Sequence, residues 1–543
     1  MTVERGKSEL AGARRMLHPM FEQPGVAFLI RLGVLVGGFM LLQKLLRHVP
    51  HLAPTAYARP SVLIELAGAT LHSWLALLLL ALLALAARAR LWQTWDRYQD
   101  LGRLRPVVLV VLLMVTWIAA GYDQNSFFGQ SHGVDRVALV GLALLSMWRP
   151  GALLAFLWLA YALLWQFDEP LHFQFSWTEI NLPLQMLTLV AVAIACQAAT
   201  GMSFAAEMLT ALVSLLAAPY WASGWGKIQL DWLARPAIHY LLPAGYAHGW
   251  LSGVDPAAIG ATTETLRTFA LPLMVVTLAV ECGALLVLSR RAITMALLVA
   301  WAAMHVGILA VSGIAFWKWI VVEAALGLWW WRHADLTRRV YAWPARAASG
   351  VLILAGVLWM RAVPLAWYDT PLTYTVQLQA LSATGVPVLI SSGRFSLYDD
   401  LIAFSNFSYL DPGRRLNDQI WGSSFSLEVA AALSDAHDLA DVQAIENALG
   451  EVAFDEGRAR AFDQLVRCFV GQPWRPVVDG VSLQAPSNLW VGQRGVVPRA
   501  GFVPSAVAVH RLTWLAGATG PVVIRDDLVR TIPLGPCPGP NSH

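Results

Sequence analysis

Apolar residues occupy long blocks along the first two thirds of the chain, and polar residues are confined to short gaps between them. The blocks run at approximately 26–46, 61–87, 106–121, 135–148, 151–167, 181–199, 204–218, 268–288, 292–312, 314–331 and 347–365. A bilayer core about 30 Å thick is crossed by about 20 apolar helical residues. The pattern predicts about eleven transmembrane helices, with the fourth and seventh blocks short enough to be tilted or re-entrant.

From Tyr368 the pattern changes. "TYTVQLQA" and "PVLISSG" alternate as strands do, residues 425–468 read as helix, and 485–530 returns to strand-like runs split by Gly and Pro. The expected architecture is an all-α polytopic membrane bundle followed by a C-terminal soluble α/β (α+β) domain. Residues 1–25 form a cytoplasmic N-terminal segment, 26–366 the transmembrane domain and 367–543 an extracytoplasmic, periplasmic domain. The N-terminus does not read as a cleavable signal peptide, because about 25 polar or mixed residues precede the first apolar block.

Composition agrees with the blocks. The chain is 57% hydrophobic and only 13% charged, with a mean hydropathy of +0.55, whereas soluble domains are about 25% charged. There is no basic tract and no reader motif, so nucleic-acid binding is not indicated. Many of the 25 tryptophans sit at block ends, where indoles anchor in the headgroup zone. Cys196 and Cys282 lie inside apolar blocks as packing residues. Cys468 and Cys537 lie in the tail and, if it is extracytoplasmic, are able to form a disulfide.

Charge sets an orientation. Arg88, Arg90, Arg97, Arg103, Arg105, Arg149, Arg290, Arg291, Arg332, Arg338, Arg339 and Arg346 fall in one alternate set of connections, together with the basic N-terminal segment. The opposite set is poorer in Lys and Arg. The positive-inside rule then puts the N-terminus in the cytoplasm of a bacterial cell and the tail outside the inner membrane. The loops carrying Lys227, His132 and Phe167–Trp177 share the tail's side.

Only four residues are lysine: Lys7, Lys44, Lys227 and Lys318. Arg supplies nearly every other positive charge, and only Lys readily sheds its proton when desolvated. Lys227 stands in "SGWGKIQLDWL", where it is either a proton-transfer group or an ion-pair partner of Asp231, four residues on. Further ionisable groups interrupt the blocks, and such groups are functional candidates because they are costly in lipid. They are Arg31, Glu281, His305, Lys318 and Glu323, and pairing of Arg31 with Glu323 or Glu281 is the structural alternative. Lys227, Glu281 and His305 together supply a base, an acid and a tunable imidazole.

The segment Tyr220 to Trp232, "YWASGWGKIQLDW", resembles the lysine-bearing segment of the vitamin K-dependent γ-carboxylases and their bacterial HTTM-domain relatives. Glu281 and His305, 24 residues apart, resemble that family's acidic residue and following histidine. "YDQNSFFGQSHGVDRVALVGLALL" (122–145) resembles its Asn/His-bearing helix start, with His132 or Asn125 as the counterpart. Arg31 fits an arginine of the family's first span. The resemblance covers roughly residues 20–340, and the tail has no counterpart.

The resemblance implies an initiating base, Lys227, that deprotonates a reduced vitamin K or menaquinol-type quinone. Oxygen converts the anion to a strongly basic alkoxide, which removes a γ-proton from a glutamyl substrate before CO2 adds. His305 and His132 would position the quinone or oxyanion, and Glu281 would orient a partner. Trp225, Trp232, Asn125 and Arg31 would line the cofactor site, with no metal required. A secreted peptide or protein would be the substrate. The competing expectation is a non-catalytic membrane protein for export, maturation or protection of a secreted peptide, with the tail as binding module. A transporter is disfavoured by the lack of an inverted repeat.

Overall fold

The computed structural model describes residues 24–87, 90–122, 125–168, 171, 180–382, 387–404, 407–416, 421–471, 485–486 and 502–537. Nearly all of the N-terminal segment, most of the 169–179 loop, much of the 485–530 strand region and the last six residues lie outside them.

The first two thirds of the chain are helical. Two helices form the centre: α7 (Asn181–Thr200) and α8 (Ala205–Gln229). Both are apolar on every side, and such helices are stable only when packed all round. In their most apolar windows 83% and 78% of residues are buried, against 28% in α1 (Pro24–His48) and 22% in α12 (Arg291–Ser312). The outer helices therefore keep an apolar face for lipid.

Around the centre stand α2 (Leu63–His72), α3 (Trp74–Ala87), α4 (Arg105–Ala120), α5 (Gly133–Trp148) and α6 (Leu153–Trp165). They are followed by the short α9 (Leu241–Ala247), then α10 (Pro256–Thr268), α11 (Ala270–Cys282), α13 (Trp317–Arg332) and α14 (Trp343–Leu354). Among the described residues, five helices are long and apolar enough to span a bilayer, or up to seven if each bent pair counts as one span. The bent pairs are α2–α3, with an 87° break, and α10–α11, with 65°. The expected eleven exceed this count because α5, α6, α13 and α14 have 16, 13, 16 and 12 residues. At 1.5 Å per residue such helices fall short of the hydrocarbon thickness.

One end of the bundle is rich in arginine. Arg103 pairs with Asp335, Arg339 reaches Asp100, and Arg291 donates to the Trp331 carbonyl. The tail is seated at the other end.

The tail is built on one antiparallel sheet in the order β3 (Pro387–Leu389), β2 (Leu372–Ser382), β5 (Pro504–Gly517), β6 (Gly520–Pro533). A two-residue ladder pairs β1 (Tyr368–Asp369) with β4 (Ser423–Ser424). Helices α15 (Leu427–Ser434), α16 (Leu439–Leu449) and α17 (Glu456–Val470) begin at Ser426, Asp438 and Asp455, whose side chains accept backbone N–H groups of the first turn. Cys468, in α17, is joined to Cys537 beyond β6 by a disulfide.

Among the described residues, several contacts seat this domain. Tyr368 Oη donates to the Leu230 carbonyl just past α8. Trp421 Nε1 donates to the Ser312 carbonyl at 3.0 Å, and its ring stacks on His248 with centroids 4.3 Å apart. The β5–β6 turn rests on the first turn of α10. Gly520 has φ +108°, and a Cβ there would stand 2.0 Å from the Pro256 carbonyl oxygen, so only glycine fits.

Candidate functional site

The segment that carries Lys227 is the last two turns of α8. Gly224 and Lys227 lie three residues apart and so share a face. A Cβ on Gly224 would come within 3.0 Å of Glu281 Cβ and 2.9 Å of Cys282 Sγ. Glycine thus lets α8 approach α11 closely and brings Lys227 to Glu281. Lys227 Nζ donates to Glu281 Oε1 at 2.5 Å, with side chains only 11% and 6% exposed. The ammonium also lies 5.2 Å from the centroid of the buried Trp232 ring.

The alternative partner, Asp231, is not used. Helix α8 stops at Gln229, and Asp231 adopts a left-handed conformation, φ +53°, beyond its end. The i,i+4 geometry of a continuous helix is therefore missing where that pair would need it.

A second layer stands behind Glu281. His305, on α12, is within electrostatic reach of Glu281, and its Nδ1 lies 3.4 Å from Glu323 Oε2 on α13. Tyr220 Oη donates to Glu323 Oε1, while the Tyr220 ring stacks on Trp301 with centroids 4.3 Å apart. Tyr220 and Lys227 are seven residues apart, two turns along one face of α8. The structure brings Lys227, Glu281 and His305 together, with Glu323 and Tyr220 beside them.

Arg31 is elsewhere. It binds Glu207, in the first turn of α8, through Nε at 2.7 Å, and not Glu323 or Glu281. Twenty residues of helix separate Glu207 from Lys227, about 30 Å at 1.5 Å per residue. Asn125 and His132 have other partners. Asn125 Nδ2 donates to Gln166 Oε1 at 3.3 Å, and Gln166 Nε2 donates to Tyr122. His132 is buried at the start of α5, facing Asp135 and the backbone of Tyr57. Among the described residues, none of their hydrogen bonds reaches Lys227, Glu281 or His305. Trp225 points outward, 47% exposed, and stacks on Trp221. Lys318 is buried, its ammonium 5.5 Å from the Trp317 ring.

Two residues that sequence reasoning passed over are informative. Glu207 interrupts the apolar block 204–218, so its charge alone marked it as a partner for Arg31. Asp369 carried no such mark, lying in a mixed linker. It is buried at the start of the tail, accepts a hydrogen bond from Trp367 Nε1 at 3.2 Å, and lies within electrostatic reach of Lys227. Burial pushes its carboxyl up to about 7.

The pair at the centre is incomplete in one respect. An ammonium has three N–H donors, and Glu281 Oε1 is the one hydrogen-bond acceptor for Lys227 among the described residues. Glu281 Oε2 is buried with no hydrogen-bond partner among them. A donor and an acceptor are thus left side by side, and a hydroxyl group satisfies both at once. Among the described residues no group of three or more His, Cys, Asp or Glu side chains is arranged to hold a metal ion. Comparison of the chain with family models, curated proteins and solved structures returns no match.

Proposed function

We propose that this chain is a multi-pass enzyme of the bacterial inner membrane that uses Lys227 as a base to activate a reduced, menaquinol-type quinone. The observation that carries this reading is the unmatched donor and acceptor at Lys227 and Glu281, which fit the hydroxyl of a hydroquinone. When bound, the quinol supplies the reducing power for its own oxygenation by O2 to an epoxide and water, and a base strong enough for carboxylation of a glutamyl side chain by CO2. The chain's residues do the rest. In the reactive form the pair's proton rests on the Glu281 carboxyl, and the neutral Lys227 amine accepts the hydroxyl proton, an N–H bond forming as the O–H bond breaks. Glu281 holds the amine in place through Oε1. His305, braced by Glu323 and Tyr220, orients Glu281. The exposed Trp225, stacked on the half-buried Trp221, marks a lipid-facing approach for an apolar substrate.

In this reading the shorter apolar helices cross together with the segments that flank them, giving about eleven spans with the N-terminus in the cytoplasm and the tail in the periplasm. The arginine-rich end opposite the tail supports that orientation, as does a disulfide, which persists in oxidising compartments. Likeness of the Tyr220–Trp232 segment to the γ-carboxylase and HTTM group supports the chemistry.

The test is mass spectrometry of quinone lipids incubated with the purified protein under oxygen. Wild type is expected to yield quinone epoxide, while Lys227→Ala and Lys227→Arg yield none, since Arg keeps the charge without acting as base. Equal epoxide from wild type and Lys227→Arg removes the reading. One observation favours a non-catalytic alternative: a 2.5 Å ion pair is also a way to tie α8 to α11. There the tail would be the working part in handling a secreted peptide, Lys227→Arg would be tolerated, and truncation near residue 367 would abolish function.

A further inference from the structure

Lys227 stands between two walls set by its own helix. With about 3.6 residues per turn, Gly224 and Ser223 lie one turn back, to either side of the lysine. Gly224 faces Glu281 and Cys282 of α11. Ser223 faces the linker from α14 to the tail, and its Oγ accepts the Leu365 backbone N–H at 3.1 Å. Gly226 lets that linker in close, since a Cβ there would stand 3.0 Å from Ala366 Cβ and 3.2 Å from Pro364 Cβ. Tyr368 Oη then donates to the Leu230 carbonyl. The anchors follow the same order on both segments. From Ser223 to Leu230 a helix rises about 10 Å, which the chain from Leu365 to Tyr368 also covers when extended. Residues 364–368 thus lie alongside the end of α8 as a strap, and pairing of Tyr368 with Ser424 ties the strap to the tail.

Past α8 the chain folds back over the amine. Asp231, at φ +53°, redirects it, and the Trp232 ring centroid comes to lie 5.2 Å from Lys227 Nζ. The ring is buried in one cluster with Met274 of α11, Tyr368 of the strap and Ala430 of α15. Arg235 fastens α15 at this place, donating to the Ala430 carbonyl at 2.7 Å and to Ser434 Oγ at 2.9 Å. A left-handed conformation at a non-glycine residue is kept by the structure around it. Around Trp232 that structure is supplied largely by the tail, through Tyr368 and Ala430.

We propose that Trp232 is a roof over Lys227 which the seated tail holds shut, with Ser223, Gly226 and Tyr368 as the residues that position it. Exclusion of outside water from the amine is then a property of how the tail docks. The bearing of this on catalysis rests on the reading of Lys227 as a base, because an amine gives up its charge readily only where water is kept out. The tail thereby takes part in the chemistry without supplying a reacting group.

The test is acetylation of the full-length protein in detergent with a water-confined sulfonated succinimidyl acetate, at about pH 10, where ordinary lysines react readily. Mass spectrometry reads the labelling rate of Lys227 against that of the exposed Lys44. The wild-type ratio is expected to be low. Trp232→Ala, which removes the roof, and Gly226→Leu, which drives Pro364 and Ala366 away, are each expected to raise it by about tenfold, as when a locally closed segment opens. Trp232→Phe still covers the amine and is expected to restore the low ratio. Tyr368→Phe and Ser223→Ala each remove one anchoring hydrogen bond at nearly constant volume, so they keep the fold where a bulkier change fails. Each is expected to raise the ratio a few-fold. Wild-type Lys227 labelled as fast as Lys44, or a ratio unmoved by Trp232→Ala and Tyr368→Phe, overturns the proposal. Epoxide formation is scored separately. Its absence in wild type removes the enzymatic reading and leaves the roof standing if the labelling behaves as expected. An unmoved ratio with epoxide still formed by wild type removes the roof alone.

Discussion

Lys227 and Glu281, 54 residues apart in sequence, form a 2.5 Å ion pair in the interior of the protein. Buried pairs are sensitive to removal of one partner, because the survivor is left as an unpaired charge. Glu281→Leu and Lys227→Met are each expected to destabilise the protein by about 3–5 kcal/mol, while the double variant loses much less. Thermal unfolding of the four proteins in detergent, analysed as a double-mutant cycle, measures the coupling. Additive losses would show that the two side chains do not act as a pair.

Asp369 and His248 make tail stability depend on pH in opposite senses. The folded Asp369 carboxyl sits near 7 against an ordinary 3.8, so the folded state favours its protonated form. That stabilisation is complete below about 4 and is lost as pH rises through about 7, a difference on the order of 4 kcal/mol. His248 is held down at about 4 by burial, against an ordinary 6.5. Its contribution is present above about 6.5 and is lost as pH falls toward about 4. Asp369→Asn is expected to remove the alkaline decline and leave the acid one. Proteolytic release of the tail across pH 4–9 (~ values bracketing both groups) measures both limbs.

The β5–β6 turn offers a mechanical test. Gly520→Ala places a methyl against the Pro256 carbonyl at a positive φ that disfavours L side chains. The expected cost is about 1–3 kcal/mol, the range for strained backbone positions. It is expected as faster protease cleavage in the tail, with the helical content of the bundle preserved. Wild-type protease resistance would show that the turn does not need its seat on α10.

The thiols give a direct count. After denaturation without reductant, only Cys196 and Cys282 are free to alkylate, and reduction exposes Cys468 and Cys537 as well. Mass spectrometry distinguishes two adducts from four. Cys468→Ser is expected to destabilise the tail by about 2–5 kcal/mol, as for removal of other native disulfides.

The bundle was readable in the chain because lipid imposes length and apolarity on every crossing element. The count was less so. A block such as 61–87 reads as continuous in composition, yet the chain turns by 87° at its middle, and hydropathy is blind to bends. The Lys227–Glu281–His305 grouping was legible because ionisable residues are rare in apolar blocks, which leaves few partners to choose from. Arg31 was misassigned for the converse reason. Its true partner, Glu207, stands near the start of an apolar helix, and sequence does not tell which ends of two helices meet. Asn125 and His132 enter by likeness to a family pattern; the fold sets Asn125 beside Gln166 and His132 beside Asp135. Asp369 was invisible because its burial comes from where a linker is routed, and routing is a tertiary property.

The Tyr368–Leu230 bond joins residues 138 positions apart, and this has a consequence for biogenesis. When the ribosome has finished α8, the lysine it carries has none of its later neighbours: α11, α12, α13 and the tail are still unmade. The surroundings of the amine close only after the last helices and the tail have been made and have folded against α8. A nascent or prematurely terminated chain thus carries an open, hydrated lysine, and maturation of the site reports completion of the whole polypeptide.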